Sequence, residues 1–150
     1  MIVYNIRKSK YESSLKSSGV ANRWNKNEEF VIYSAEAISL ATLELAAHRN
    51  AIEINSGYKL LFINLDISEH NITELKEDAL PINWKSIESY PALQNLGSQW
   101  YLEKKSLILK VPSALIPWEH NYIINVNHPD LSKKVSILST EDFSWDHRLT

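Results

Sequence analysis

The chain has no cysteine among its 150 residues. That excludes a disulfide framework, a thiolate nucleophile and any cysteine-ligated metal. It also lacks an excess of charge of either sign. The formal net charge is -2 and the isoelectric point about 6.2, which supplies no basic field for a nucleic-acid backbone and argues against direct nucleic-acid binding. No apolar run approaches the ~20 residues of a membrane span. The first residues, Met1-Ile-Val-Tyr-Asn-Ile6, do not form a signal peptide, so the expected location is the cytoplasm. The histidines at 48, 70, 120, 128 and 147 never fall in a His-x-x-x-His pair, so no metal site is expected. Internal repeats, linkers and low-complexity segments are missing too.

What is present suits one globular unit over residues 1–150. Hydrophobic residues make up 44% and charged residues 23%, ordinary for a chain long enough to bury a core. Strand patterns are read at Ile2 to Ile6, Phe30 to Ser34, Tyr58 to Asp66, Ile72 to Leu75, Leu107 to Val111, Asn121 to Asn125 and Val135 to Leu138. Helical spacing is read after Ala35, ending near Asn50 and Gly57, and from Pro91 to about Lys105, with Gly97 a weak point inside it. Ser9 to Ser18 could carry a short helix before a turn at Gly19, and Asn22 to Glu29 reads as a surface loop. Pro81 to Pro91 is an irregular connection anchored by Trp84, Asn127-His-Pro129 a turn, and the aromatic tail from Phe143 to Leu149 is expected to dock. Strands at both ends with helices between them, and no regular βαβ alternation, give an α+β fold with mixed or antiparallel sheets and flanking helices.

The first helix is the informative part. Stepping about 100° per residue, Glu44 and His48 point away from Ser39 and Thr42 and share a side with Ala37, Leu40 and Ala41. A carboxylate on a core-facing side must be paired, hydrogen-bonded or protonated. Glu44 is thus either a structural carboxylate or a catalytic one. His48 is weighed between a satisfied core histidine and a catalytic group. Upstream, Trp24 in its polar loop is either a plug under that loop or one wall of a ligand site. Downstream, Ser113 sits on a stiff corner between Pro112 and Pro117.

Arg23-Trp24-Asn25, Val31-Ile32-Tyr33 and Ala41-Thr-Leu-Glu44-Leu45 stand in an order that resembles the RES domain family, named for arginine, glutamate and serine. Leu80-Pro81-Ile-Asn-Trp84, Gly97-Ser-Gln-Trp100, Val111-Pro112-Ser113-Ala114, Pro117-Trp-Glu119-His-Asn121, Ile124-Asn125, His128-Pro129 and the closing Phe143-Ser-Trp-Asp146-His-Arg148-Leu149 extend the likeness over nearly the whole chain. One departure stands out: Ala21-Asn22 replaces the glycines usual before the arginine, leaving that loop less backbone freedom.

The resemblance implies an ADP-ribosyltransferase-like fold and a toxin of a bacterial toxin–antitoxin pair. Its partner would be an Xre-type antitoxin laid over the active site, and self-association within a larger complex is compatible with it. The implied activity is cleavage of the nicotinamide–ribose bond of NAD+, with water or phosphate as acceptor. NAD+ is then substrate, phosphate a co-substrate, and no cofactor is needed. The family's arginine, tyrosine, glutamate and serine map to Arg23, Tyr33, Glu44 and Ser113, the expected catalytic set. Expected substrate contacts are Arg23, Trp24, Asn25, Tyr33, Ser113 and Asn125. Asn125 and Asn121 suit turn or strand-edge roles better, although a buried amide can grip nicotinamide or ribose. Ser113 is not expected to be a nucleophile, since no His-Asp pair serves it. Two alternatives stay open: an ADP-ribosyltransferase acting on a cellular target, and a catalytically silent binding partner in a regulatory complex.

Overall fold

The computed structural model describes residues 1–11, 14–48 and 57–149. Seven strands form one sheet: β1 (Ile2–Lys8), β2 (Val31–Ala35), β3 (Tyr58–Leu65), β4 (Ile72–Glu74), β5 (Ile108–Pro112), β6 (His120–Asn125) and β7 (Val135–Phe143), in the order β4-β5-β6-β2-β1-β3-β7. The β4–β5 pair is parallel, whereas the other recorded pairings are antiparallel, so the sheet is mixed. Helices α1 (Ile38–Ala47), α2 (Tyr90–Glu103) and the single turn α3 (Leu131–Lys134) complete an α+β architecture. Among the described residues no helix is long and apolar enough to cross a membrane.

Successive strand residues point to opposite faces, and both faces here are apolar. Ile32, Ile108 and Ile124 belong to one buried cluster with Val3, Leu61 and Ile63. Their neighbours Val31, Leu109 and Ile123 belong to another, which α2 covers with Leu93, Trp100 and Tyr101. Continuing along β2 on that second face, Tyr33 comes next and then Ala35, which joins Leu40 and Ala41 of α1 in a third cluster. Both long helices therefore pack on one face, side by side, with Tyr33 between their footprints. That gap is where the candidate site lies.

Several sequence expectations are refined. The segment after β1 forms only one 3-10 turn, Ser9–Tyr11, and residues 14–18 are not helical. Gly19 does turn at φ +71. The loop from Asn22 to Glu29 is not a surface loop, because Trp24, Asn25 and Glu29 are buried. It tucks under α2, and no apolar period reports that placement. Asn50, expected to help end the first helix, lies outside the described residues; α1 itself ends at Ala47 with His48 as its cap. Helix α2 runs unbroken through Gly97. Strand β7 extends five residues beyond Leu138, to Phe143, pairing with β3 along its length. Its exposed, polar second half has the composition an edge strand tolerates, so no hydrophobic alternation marks it. The tail docks through Trp145, which meets Phe143 and Tyr58 edge-on at 5.3 and 6.0 Å.

Candidate active site

The side chains gathered in the gap come from five separate stretches. Glu44 lies one turn after Leu40 and Ala41, whose burial against β1 and β2 fixes the rotation of α1 and turns the half-buried carboxylate inward. Opposite it, β5 ends at Pro112 and the chain turns sharply. Ser113 is fully buried at that turn. Its hydroxyl donates to Glu44 Oε1 at 2.7 Å and accepts the backbone N–H groups of Leu115 and Ile116, both at 3.1 Å. With its only proton given to the carboxylate and its lone pairs occupied, Ser113 holds Glu44 in place and is not available as a nucleophile.

Glu44 Oε1 accepts a second hydrogen bond, from Asn121 Nδ2 at 2.8 Å. The register of β2 with β6 places Asn121 opposite Ala35, on the face that carries the helices. Two neutral donors therefore converge on one oxygen. Among the described residues Glu44 has no ion pair and Oε2 has no hydrogen-bond partner, so that oxygen remains to meet a ligand.

Tyr33 forms the floor. Its hydroxyl donates to Asn25 Oδ1 at 2.6 Å and accepts the Trp24 N–H at 3.0 Å. Burial pushes the phenol well above its usual value, with the nearby Tyr90 and Glu29 adding to the rise, while the Trp24 N–H and Arg23 oppose it. It is a fixed neutral hydroxyl. Arg23 donates from Nη1 to the carbonyls of Trp84 (3.0 Å) and Lys85 (3.2 Å), and its guanidinium lies 4.8 Å from the centre of the Tyr90 ring. Those anchors hold the planar group in one orientation while two of its three nitrogens keep N–H donors for an anion.

Glu44, Asn121, Tyr33 and Arg23 line a cleft of two lobes, of about 150 and 190 Å³, whereas Ser113, expected as a substrate contact, is buried behind Glu44 and borders neither. Asn22, Tyr33, Glu44, His48 and Asn121 border both. The smaller lobe adds the apolar Ile6, Ala35, Ala41 and Leu45 beside Tyr4 and Asn5. The larger adds Arg23, Trp24, Tyr90 and the Pro112–Leu115 corner. Arg23, Tyr33, Glu44 and the Ser113 corner are thus brought together.

The two asparagines expected as substrate contacts are placed elsewhere. Asn125 is fully buried, donating to the Tyr101 carbonyl at 3.1 Å and accepting the Asn127 N–H at 2.9 Å, and it borders neither lobe. Asn25 is likewise spent on its own loop: besides Tyr33 it serves the carbonyls of Val20, Lys26 and Glu29. Both amides satisfy buried backbone rather than face the cleft. Trp24 is a plug, 2% exposed and 6.4 Å from Trp84, that also closes the floor of the larger lobe. His48 is exposed rather than a core residue and borders both lobes.

Sequence reasoning missed Tyr90 and Asn22 as cleft residues and favoured a turn or strand-edge role for Asn121. Asn121 and Asn125 share one face of β6 with Ile123 between them, so the strand's alternation alone does not say which of the two amides reaches the cleft. At Ala21-Asn22 the backbone needs no positive φ, since the positive-φ residues of this loop are Gly19 and Glu28. Asn22 instead accepts the Arg23 N–H through its own side chain at 2.8 Å.

Comparison with known proteins gives one consistent answer. Residues 2–146 match the RES domain family. "Toxin Res" of Photorhabdus laumondii subsp. laumondii is 34% identical over 153 residues, covering 99% of this chain and 97% of that protein. "Toxin Res" of Yersinia enterocolitica is 31% identical, covering 99% of each. A more distant relative, the "Prs ADP-ribosylating toxin" of a Sphingobium species, is 28% identical over 85% of this chain and 79% of its own length. With the arginine, glutamate and serine of the family's name gathered around one cleft, and a match that spans the chain from its first strand to its docked tail, the chain belongs to the RES domain family.

Proposed function

We propose that this protein is a bacterial toxin that acts in the cytoplasm, has an ADP-ribosyltransferase-like fold and degrades NAD+ by cleaving its nicotinamide–ribose bond, with water or phosphate as acceptor. The observation that carries the reading is the half-held Glu44 carboxylate at the junction of two lobes, with a fixed guanidinium in one of them. A dinucleotide has that shape: two ring systems joined through a diphosphate, with the reacting ribose carbon between them.

Breaking the bond sends its electron pair out with neutral nicotinamide and leaves positive charge on the ribose, an oxocarbenium-like transition state. Glu44 Oε2 faces that charge. Because Oε1 is tethered by Ser113 and Asn121, the carboxylate need not reorganise as the charge develops, which is the condition under which electrostatic stabilisation is most effective. An oxygen of water or phosphate then bonds to the ribose carbon, and a proton from water passes to Oε2 or to solvent. Arg23 suits a diphosphate oxygen. Tyr33, neutral and fixed, supplies a ring wall. Nicotinamide leaves as a neutral molecule and needs no strong acid.

Purified protein incubated with NAD+, with and without phosphate, is expected to release nicotinamide. No release under either condition, while NAD+ still binds, overturns the reading. The name of the Sphingobium relative favours a second one, transfer of ADP-ribose to a cellular target. Labelled NAD+ separates the two, since transfer leaves label on a macromolecule and hydrolysis or phosphorolysis leaves only small products. As partner we propose an Xre-type antitoxin that covers the cleft mouth and Arg23; the relatives' name, toxin, supports only that such an activity needs restraint.

A further inference from the structure

Glu29 is a buried carboxylate, 7% exposed, that borders neither lobe. Its Oε2 accepts the Ser98 hydroxyl at 2.5 Å and its Oε1 accepts the Lys26 N–H at 2.7 Å. Among the described residues no cation pairs with it. A buried carboxylate with only neutral partners is a poor device for stability, because an apolar contact of the same size does as well without the cost of desolvation. What it supplies is direction, since two hydrogen bonds fix an orientation that an apolar contact leaves free.

Ser98 belongs to a stripe on α2. Tyr90, Gln94, Gly97 and Ser98 stand at i, i+4, i+7 and i+8, one face of a helix, and each meets the segment from Asn22 to Glu29. The Tyr90 ring lies against the Arg23 guanidinium. Gln94 Nε2 donates to the Asn22 carbonyl at 2.9 Å. Gly97 admits the Trp24 carbonyl so closely that an added Cβ would stand 1.7 Å from its oxygen. Ser98 closes the row on Glu29, whose own carbonyl accepts Asn25, the residue that receives the Tyr33 hydroxyl. Asn22 and Arg23 therefore take their places in the cleft from a segment pinned to α2 at both ends, and that segment also meets the Tyr33 hydroxyl.

We infer that Glu29 is a positioning residue: with Ser98 it pins the loop to α2 and thereby sets Arg23 against Glu44. In its catalytic aspect this rests on the proposed NAD+ reaction. The pin orients groups that bind the substrate alike before and during reaction, so its loss shows in KM rather than in kcat. Glu29→Gln keeps both bonds, its oxygen facing the Lys26 N–H and its amide nitrogen donating to Ser98 Oγ.

The test combines kinetics with hydrogen exchange on the intact chain. Glu29→Ala and Ser98→Ala are expected to raise KM for NAD+ roughly tenfold, the loss of about one charge-assisted hydrogen bond, with kcat within about twofold of wild type. Glu29→Gln is expected to restore KM. In an Arg23→Ala background Glu29→Ala should change KM by less than about twofold, since the group it positions is gone. Amides at 22–29 should lose protection in Glu29→Ala while those of β5 and β6 keep theirs. Unchanged protection at 22–29, an equal KM shift in both backgrounds, or a Glu29→Gln variant as impaired as Glu29→Ala overturns the inference. A wild-type chain that releases no nicotinamide overturns the proposed reaction alone, and the exchange measurement still decides the pin.

Discussion

At the scale of single residues, Glu44 separates chemistry from binding. Glu44→Gln keeps the size and one acceptor but removes the charge; on the proposed reaction it is expected to lower kcat for nicotinamide release by about a hundredfold or more with NAD+ binding retained. Ser113→Ala acts through that carboxylate. It frees Oε1 on one side and orphans the N–H groups of Leu115 and Ile116, so a kcat loss of about 10- to 100-fold should accompany a stability loss of about 1–3 kcal/mol. Denaturant midpoints and steady-state rates on one preparation check both. Tyr33 carries a pH signature. Its phenol is raised by burial, so its contribution to stability is complete below the ordinary tyrosine value near 10 and is lost as pH climbs above it. Wild type should therefore lose stability more steeply above pH ~10 than Tyr33→Phe, compared by urea unfolding across that range. The four family positions were readable because order and spacing along the chain mark them. Asn25 and Asn125 misled because an asparagine serves a ligand or a buried carbonyl with the same amide, and only the coordinates say which.

At the scale of elements, α2 holds the clearest case of tertiary contact overriding propensity. Gly97 weakens a helix by about 1 kcal/mol relative to alanine, yet α2 is continuous there. The reason is the Trp24 carbonyl, which occupies the volume a side chain would need. Gly97→Ala should improve helix propensity and still destabilise the protein by about 1–3 kcal/mol, the range for forced overpacking, measured by denaturant titration. The same variant should also raise KM for NAD+, because the Arg23 loop must move. The extra length of β7 and the one-turn α3 were hidden for an opposite reason. Both are polar and exposed, and their hydrogen bonds are set by β3 and by the preceding turn rather than by a hydrophobic period.

At the scale of the whole molecule, the cleft exists because two helices far apart in sequence share one face of the sheet with a strand's width between them. The tail secures one side of that arrangement. Trp145 packs against the cluster that holds α1, through Tyr58 and Phe143. Trp145→Ala is expected to cost about 2 kcal/mol in stability by loss of buried area and two edge-on ring contacts. Because its ring contacts are to Tyr58 and Phe143, which border neither lobe, kcat and KM of the folded fraction should stay near wild type, read from thermal melts alongside rates at low temperature.

Apolar periodicity along the chain was enough to place the strands and the two long helices, because it is a property of neighbours, and the resemblance to the RES family singled out Arg23, Tyr33, Glu44 and Ser113. Which oxygen of Glu44 is held, that Asn121 rather than Asn125 reaches it, and that α2 shapes the Arg23 loop were decided only by tertiary structure. Those contacts join residues as many as 77 positions apart, and no local pattern encodes which of several equivalent polar side chains the sheet register will turn toward the same gap.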